Sequence, residues 1–471
     1  MDTPINLYLS EDKVEFSLAQ ILSSLSTALD LTSGYSMGHA QRSCLIALRI
    51  AALIEMPAAD QAVFYHALLM KDAGCSSNAA RMAEIFGSDD IGAKRMSRIT
   101  DMTNLAEAAR YVASNILPER SLLARVQRTL QIVAHKDETI GAISATRCNR
   151  GAQIALAIGL GQTAADCVAT TEEHWDGGGS PRNLKGTAIP LFGRIACLAQ
   201  TLEVFVATFD IPTAYEVIRK RSGKWFEPEL VRVACSFEKD AVFWGNVKDN
   251  PREGLLSLDI RANVEVATQS RIDTICDAFA QIVDAKSPFT AQHSSRVRDY
   301  AVQMGEAFGF AGERPTTLRR AALLHDLGKL AVSNTILDKP GKPSDDEWAS
   351  IRKHPFFTQE ILKHISGFSR LVEIAAAHHE RLDGRGYFRG LTAEHLDLDM
   401  RILAVADVFD ALSAERPYRG ALPLSEVFAI LDKDSGTALD ANCIGALKEI
   451  YRGLDTPGDL STNKVQLARA A

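Results

Sequence analysis

The stretch Ala322-Leu-Leu-His-Asp-Leu-Gly-Lys329 indicates the fold and the chemistry expected of this chain. It places an imidazole and a carboxylate, His325 and Asp326, directly after an apolar run. Further along come His354 before a proline, the pair 378–379 of two histidines, and Asp407 inside the apolar segment 402–412. Imidazole and carboxylate suit first-row transition metals and zinc, and an ionised carboxylate on an apolar helical face is costly unless it is paired or binds metal. These groups on separate predicted helices indicate a metal centre in the second half of the chain.

Helical periodicity surrounds this stretch. Apolar residues recur every three or four positions in the segments 272–283, 293–308 and 402–409, so that each segment presents one apolar face. The sequence contains no sustained run of alternating or β-branched residues bounded by turns, so few strands are expected. A content of 46% hydrophobic and 24% charged residues over 471 positions is typical of a globular protein. The sequence therefore predicts an all-α protein.

The length predicts more than one domain. The polar stretch Trp244–Gly254, which contains Pro251, is the best candidate for a linker. It divides the chain into one body at 1–245 and a second at 255–455, and residues 456–471 are expected to form a flexible tail.

Charge and cysteine content exclude several classes of protein. The formal net charge is −7, so no overall basic field favours a polynucleotide or an anionic membrane surface. Apolar stretches such as 44–54 are interrupted by charge and fall short of the roughly 20 residues that a membrane span needs. The start lacks the basic and apolar segments of a secretion signal, and the eight cysteines include no Cys-x-x-Cys pair. We therefore expect a cytoplasmic protein with reduced, mostly buried thiols.

Three ordered segments resemble the HD-GYP phosphodiesterases of the HD superfamily, over about residues 270–445. The stretch 322–329 resembles the HD signature, and His378-His-Glu-Arg-Leu-Asp-Gly-Arg-Gly-Tyr387 resembles the HHExxDGxGYP loop. The segment 407–419 resembles the family segment that follows this loop. The resemblance implies an all-helical bundle that holds two divalent metal ions, usually iron or manganese, and hydrolyses a cyclic dinucleotide. Cyclic di-GMP is the first expected substrate and mixed cyclic GMP-AMP the second, and the product, linear dinucleotide or GMP, stays open.

Carried over residue by residue, the resemblance also implies a set of metal ligands. Asp326 would bridge both ions, His325 and Asp407 would hold one, and His354, His378 and His379 would hold the other. His293 matches a family histidine that completes or flanks the cluster. Some members gain a third metal from a glutamate four residues before that histidine, but Phe289 stands there, so two metals are expected.

Basic residues of these motifs are candidates for phosphate contacts. Lys329 lies four residues after His325, hence on the same face if the helix continues, where its ammonium could neutralise charge growing on phosphoryl oxygens. Together with Asp326 it forms the expected catalytic pair. Arg416 and Arg419 suit a second phosphate of a diester, because guanidinium binds such oxygens bidentately.

The loop that follows the histidine pair is predicted to contact the substrate. Asp383, Gly384 and Gly386 belong to a tight loop from which Tyr387 could stack on a purine. Phe388 replaces the proline of the family motif. Because proline stiffens the backbone, this change leaves the substrate preference open while removing no metal ligand.

Two equal spacings indicate a degenerate copy of the same domain in the first half. His39 precedes Lys71 by the distance that separates His293 from His325, and Asp176 precedes Gln200 as Asp383 precedes Asp407. In this register the copy keeps His39 and Asp72 but has Lys71 for His325, Arg147 for His354, Thr171-Glu172 for the histidine pair and Gln200 for Asp407. It carries an insertion within 75–147. Because lysine and arginine repel cations, the first half is expected to be metal-free and catalytically dead.

Several alternatives remain open at this point. A non-catalytic receptor for the dinucleotide would have no need of an intact metal cluster, and an HD hydrolase of another nucleotide would not need the glycine-rich loop. The degenerate half could pack against the second half in place of a homodimer partner, or keep a ligand pocket and regulate. A homodimer of the whole chain also remains possible.

Overall fold

The computed structural model describes residues 16–452, apart from 88, 101–106, 108–109, 112–113, 118–120, 135–140, 260–261, 263–264 and 416–419. Over these residues the chain consists almost entirely of helices, which confirms the all-α class expected from its apolar periodicity. The expected tail at 456–471, and the predicted phosphate ligands Arg416 and Arg419, lie outside the described residues.

The first half contributes a bundle of helices. They are α1 (Leu18–Thr32), α2 (His39–Leu53), α3 (Ala58–Leu69), α4 (Ala79–Phe86), α5 (Asp90–Ile99), α6 (Leu122–Ala134), α7 (Ala142–Ala157), α8 (Gly161–Thr170), α9 (Leu191–Thr208), α10 (Ile211–Lys220), α11 (Pro228–Cys235), α12 (Ala241–Asp249) and α13 (Pro251–Leu256). Short 3₁₀ turns lie at Cys75–Asn78 and Gly186–Ala188.

The second half is built in the same way. Its helices are α14 (Gln269–Asp284), α15 (His293–Ala307), α16 (Arg314–Leu324), α17 (Asn334–Leu337), α18 (Asp345–Ile351), α19 (His354–Leu362), α20 (Ser369–Ala376), α21 (Leu398–Ser413), α22 (Leu424–Asp434) and α23 (Ala441–Ile450). The 3₁₀ turns here are Pro288–Thr290, Leu327–Ala331 and Ala393–His395. Within the described ranges, strand is limited to β1 (Phe16–Ser17) and β2 (Val266–Ala267), which pair antiparallel in front of α1 and α14.

The stretch expected to be a linker is helical and packed. Residues 241–256 form α12 and α13, and Trp244, Val247 and Leu255 of these helices are buried. The Trp244 indole donates a hydrogen bond to the carbonyl of Phe237, 3.2 Å away, and α13 packs against α2. Pro251 stands in the first turn of α13, where a missing N–H costs nothing. The polar composition marked a solvent-facing surface rather than a flexible connection.

Helices α1 and α14 join the two halves. Helix α1 packs against α2 and α3 of its own half, and against the turn Leu327–Ala331 and α19 of the second half. Helix α14 in turn packs against α7 and the turn Cys75–Asn78 of the first half. One continuous apolar core therefore includes residues of both halves, and the insertion within 75–147 has a small apolar cluster of its own around Phe86 and Tyr111. The two halves therefore pack against each other within the chain.

Helix α9 is apolar along its length because it lies inside the first half. Among the described residues it is the one helix long and apolar enough to cross a membrane, and 72% of its apolar window is buried inside the fold. The eight cysteines, all within the described ranges, form no disulfide, and every one except Cys235 is buried.

Candidate metal centre and its surroundings

The predicted ligands come from helix ends that converge on one point. His293 and His354 are the first residues of α15 and α19, and His325 directly follows α16. The two histidines 378–379 follow α20, whereas Asp407 projects from the middle of α21. Close backbone approach keeps these ends together, because a Cβ on Gly328 would lie only 1.9 Å from the carbonyl oxygen of His354. Sequence-distant imidazoles thus meet in one buried cluster.

Backbone carbonyls orient three of the rings. The Nδ1 atoms of His325, His354 and His378 each lie 2.7 Å from the carbonyl oxygen three residues earlier. Because Nδ1–H donates to this carbonyl, Nε2 carries the lone pair and points into the cluster. Each ring is thereby held in the tautomer that can bind a metal.

Asp326 lies between two groups of histidines. Its Oδ2 is 3.2 Å from Nε2 of His293 and 3.4 Å from Nε2 of His325. Its Oδ1 is 3.4 Å from Nε2 of His354 and 3.6 Å from Nε2 of His378. One carboxylate therefore faces both groups, the arrangement that a bridging ligand requires.

Asp407 spans the same two groups from the opposite side. Its Oδ1 lies 3.4 Å from Nε2 of His293 and 3.7 Å from Nε2 of His325, while its Oδ2 lies 3.7 Å from Nδ1 of His379. All seven side chains that the sequence nominated as ligands are thus brought together.

The donor atoms fit two divalent cations. Possible ligand atoms of His293, His325 and Asp407 lie within 4.8 Å of one another, as do those of His354, His378 and His379. Nε2 of His293, Nε2 of His325 and Oδ1 of Asp326 are buried without a hydrogen-bond partner among the described residues. The Nε2 atoms of His354 and His378 lie 2.9 Å apart, although both rings use Nδ1–H as their donor. Buried lone pairs that face each other require a cation or a proton between them.

Two of the candidate ligands, His293 and His325, have raised pKa values. Burial opposes protonation of His293, but the carboxylates of Asp326, Asp407 and Asp410 raise its pKa well above the ordinary value. Against the same effect of burial, Asp326 and Asp407 raise the pKa of His325 to about 9. The pKa values of Asp326 and Asp407 lie well below their usual range despite their burial, because positive charge surrounds them. Metal binding must displace these protons.

The other three histidines are neutral. Burial lowers the pKa of His354 and His378 well below the ordinary value, and that of His379 to about 4. Neutral imidazole is the form that binds metal, so this side of the centre needs no deprotonation near neutral pH.

Sequence reasoning missed the acid that supports the first histidine. Asp410, fully buried, lies 2.7 Å from Nδ1 of His293 and accepts hydrogen bonds from Arg296 Nε at 2.5 Å and Nη2 at 2.9 Å. A carboxylate behind a ligand histidine fixes its tautomer and raises its basicity. The signal was available, because Asp410 follows Asp407 by three positions and so faces the same side of α21.

Lys329 reaches the cluster by a different route from the one expected. Helix α16 ends at Leu324, and Lys329 lies in the 3₁₀ turn Leu327–Ala331 instead of on a continued helix. Its Nζ nevertheless lies 2.5 Å from Oδ2 of Asp326. The ammonium is therefore beside the Asp326 carboxylate, and 20% of the Lys329 side chain is exposed.

The predicted substrate loop is shaped by its own contacts. Asp383 accepts hydrogen bonds from the Arg381 guanidinium at 3.0 and 2.7 Å and from the backbone N–H of Arg385 at 3.0 Å, so it organises the loop. Gly384 has φ +72°, which favours glycine, and a Cβ on Gly386 would lie 2.5 Å from the Cα of Glu380.

Tyr387 lies beside the metal cluster. Its ring centroid is 4.6 Å from that of His379, and the Arg352 guanidinium lies 5.4 Å from the ring centre. Its ring is thus already in contact with protein on the side of the metal ligands.

A second polar cluster in the first half repeats this geometry with other residues. His39 starts α2, and its Nδ1 contacts the buried carboxylate of Glu203, which also accepts from Arg42 Nε at 2.6 Å. Nζ of Lys71 lies 2.8 Å from Nε2 of His39 and contacts Asp72. The ammonium thus occupies the side of His39 that, at His293, faces the candidate metal position.

A guanidinium lies on the other side of this cluster. Arg147 Nη2 donates to Oε1 of Glu172 at 2.5 Å, and Gln200 Nε2 donates to the same oxygen at 3.0 Å. A Cβ on Gly74 would lie 1.9 Å from the carbonyl oxygen of Arg147, the same distance as at Gly328. Cationic side chains therefore occupy the positions at which the second half has the candidate ligand histidines.

Comparison with known proteins agrees with this description. The family model described as HD domain matches residues 142–230 and 277–443. The 3'3'-cGAMP-specific phosphodiesterase 3 of Vibrio cholerae is 40% identical over 92% of this chain and 94% of its own length. A crystal structure of a cyclic GMP-AMP specific phosphodiesterase from Vibrio cholerae has a TM-score of 0.65 and 36% identity, covering 93% of this chain and 98% of that one. A cyclic di-GMP phosphodiesterase response regulator of Xanthomonas campestris pv. campestris is 32% identical over 48% of this chain and 59% of its own length.

The similarity extends across both halves of the chain, and the matched region includes the histidine and aspartate cluster. The chain belongs to the HD-GYP family of the HD superfamily, whose members are metal-dependent cyclic dinucleotide phosphodiesterases.

Proposed function

We propose that the chain prefers 3'3'-cyclic GMP-AMP as its substrate. The observation that carries this proposal is the similarity to a cyclic GMP-AMP phosphodiesterase along both halves, at 92% coverage of this chain. The similarity to the cyclic di-GMP phosphodiesterase covers 48% of this chain. The order of substrates is thus the reverse of the one favoured by the sequence motifs alone, and cyclic di-GMP becomes the second candidate.

The metal centre has the following ligands in this proposal. His293, His325 and Asp407 would hold one ion, His354, His378 and His379 would hold the other, and Asp326, which faces both groups, would serve both. Iron or manganese are the expected metals, since imidazole and carboxylate oxygen accept both. When bound, two such ions lower the pKa of a water and stabilise charge on the phosphoryl oxygens.

Residues around the centre bind and position the diester. The Lys329 ammonium, 2.5 Å from Asp326, neutralises charge that grows on a phosphoryl oxygen. Arg416 and Arg419 hold the second phosphate, a prediction that lies outside the described residues. Asp383, Gly384 and Gly386 shape the loop that places Tyr387 beside the metal centre.

The first half is a degenerate HD domain that neither binds metal nor catalyses. Lys71 and Arg147 support this role, because a metal ion could not approach His39 without displacing a buried ammonium. Packing of α1 and α14 across the halves supports a further step: the first half takes the place of a second subunit.

A substrate panel tests the preference. Anaerobically purified protein, supplied with ferrous iron or manganese, is incubated with cyclic GMP-AMP and cyclic di-GMP, and kcat/KM is measured for each by chromatography. The proposal expects a higher kcat/KM for cyclic GMP-AMP and no turnover by Asp326→Ala. A higher value for cyclic di-GMP would overturn the preference, and turnover by the variant would overturn the assignment of the centre.

A further inference from the structure

Exposed aromatic side chains form a rim beside the histidine cluster. Trp348, Phe356 and Phe388 are 40%, 40% and 39% exposed. Phe356 follows the buried ligand candidate His354 by two residues, and Phe388 follows Tyr387. A single exposed aromatic ring needs no explanation, but several beside one polar site mark a surface that binds something.

The rim is continuous with the candidate metal centre. The ring centroids of Phe356 and Phe388 are 5.6 Å apart and inclined by 64°. The Arg352 guanidinium lies 5.8 Å from the centre of the Trp348 ring and 5.4 Å from that of Tyr387, whose ring contacts His379. Flat aromatic and guanidinium surfaces therefore extend outward from the metal ligands by one layer of side chains.

The backbone of Phe388 is one that proline cannot adopt. Its φ is +78°, whereas the proline ring fixes φ near −65°. A bulky residue in this region of backbone conformation is strained. The loop is held by Glu380, whose carboxylate accepts hydrogen bonds from the backbone N–H groups of Arg389 and Leu391, both at 2.9 Å.

The first half contains the same loop, held by the same pair of hydrogen bonds to a glutamate, without a phenylalanine at this position. There Glu173 accepts from the backbone N–H groups of Arg182 and Leu184, at 2.7 and 2.8 Å, in the same register. The position that matches Phe388 is Pro181. Phe388, an exposed ring on a strained backbone, therefore occurs in the second half and not at the matching position of the first half. This difference points to a role in binding.

We propose that Trp348, Arg352, Phe356 and Phe388 form the binding site for one purine base of the cyclic dinucleotide. The inference rests on the proposed function, because the phosphodiester must lie at the metal centre for a base to reach the rim. Purines stack on aromatic rings and on guanidinium planes. Stacking accepts adenine and guanine alike, so the rim supplies affinity, and hydrogen bonds to the base edges supply the discrimination between dinucleotides.

Kinetics of rim variants test the inference. Phe388→Ala should raise KM for the cyclic dinucleotide by about 5- to 150-fold, because stacking of one base contributes roughly 1–3 kcal/mol. Its kcat should stay within about twofold, because the ring contacts the base in the ground state and the transition state equally. Phe388→Leu keeps apolar volume but loses the flat ring, and should behave like Phe388→Ala. Trp348→Leu should raise KM in the same direction, whereas Phe209→Ala, an exposed ring on the first half, should change neither constant.

Binding of a fluorescent analogue tests stacking independently of turnover. A cyclic dinucleotide that carries 2-aminopurine loses fluorescence when its base stacks, so the wild type should quench it and Phe388→Ala should not. Unchanged KM in both Phe388 variants, or wild-type behaviour of Phe388→Leu, would overturn the stacking site. If the wild type hydrolyses no cyclic dinucleotide, the proposed function fails. Even then, fluorescence quenching by the wild type but not by Phe388→Ala would support base binding at the rim. The absence of quenching by the wild type would overturn it.

Discussion

Replacing Asp410 by asparagine should weaken metal binding about 10-fold. The buried carboxylate lies 2.7 Å from Nδ1 of His293 and accepts two hydrogen bonds from Arg296. Asparagine has one carbonyl oxygen and one NH₂ group, so it cannot accept from His293 Nδ1 and Arg296 Nη2, which share Oδ2, and also from Arg296 Nε, which faces Oδ1. Because Arg296 is 32% exposed and can bind water instead, the oxygen should turn toward His293, which keeps its orientation but loses the adjacent negative charge. Loss of such a supporting group typically costs 10- to 100-fold in metal affinity, and we expect the lower end, about 1.4 kcal/mol.

The assay is chelator competition, followed by metal analysis of the dialysed protein and initial rates against metal concentration. Excess metal should restore most of the activity of Asp410→Asn. Glu203→Gln is the matched control, since Glu203 supports His39 and Arg42 in the first half as Asp410 supports His293 and Arg296. It should leave metal affinity unchanged. A wild-type affinity in Asp410→Asn, or an equal loss in Glu203→Gln, would refute the reasoning.

Other predictions address backbone packing, pH and the first half. Gly328→Ala should abolish metal binding, because its Cβ would lie 1.9 Å from the carbonyl oxygen of His354 and must displace that residue. Gly74→Ala is equally crowded but lies in the first half, so it should lower the melting temperature and retain both metals. Metal affinity should rise from pH 6.5 to 8.5, because His325, with its pKa raised to about 9, must lose a proton when the metal binds. Isothermal titration calorimetry in two buffers would detect the released protons. A metal affinity that does not change with pH would contradict this. Lys71→His should create no metal site in the first half. The number of metal ions bound per chain checks this, and a third bound ion would contradict it. Asp90→Ala should lower thermal stability without changing metal content, because buried Asp90 accepts from the backbone N–H of Asn334 at 2.9 Å and so ties the two halves together. An unchanged melting temperature would exclude this role.

Local sequence patterns were sufficient for the helices and for the ligand types. Apolar spacing predicted the class because each helix must bury one face, and that requirement is local. The order of His325-Asp326, His354 and the histidine pair likewise stood in the sequence before any contact was known.

The stretch Trp244–Gly254 shows where local reasoning failed. Its polar and glycine content favoured a linker, yet Trp244 and Val247 bury against the first half as part of α12. Composition reports how many polar groups a segment has, whereas packing decides which side of a helix they face.

Apolar spacing and residue types along the chain encode an all-α fold with a set of imidazoles and carboxylates suited to metal, together with a second set in which cations replace them. Contacts between distant helices and loops place Asp410 behind His293, the Lys71 ammonium against His39, and the ring of Phe388 beside that of Phe356. These pairs are separated by tens to more than a hundred positions in the chain, and their contacts arise from how helices pack around a shared core. Side-chain type is encoded at each position, but distance, burial and pKa belong to the packed assembly of helices.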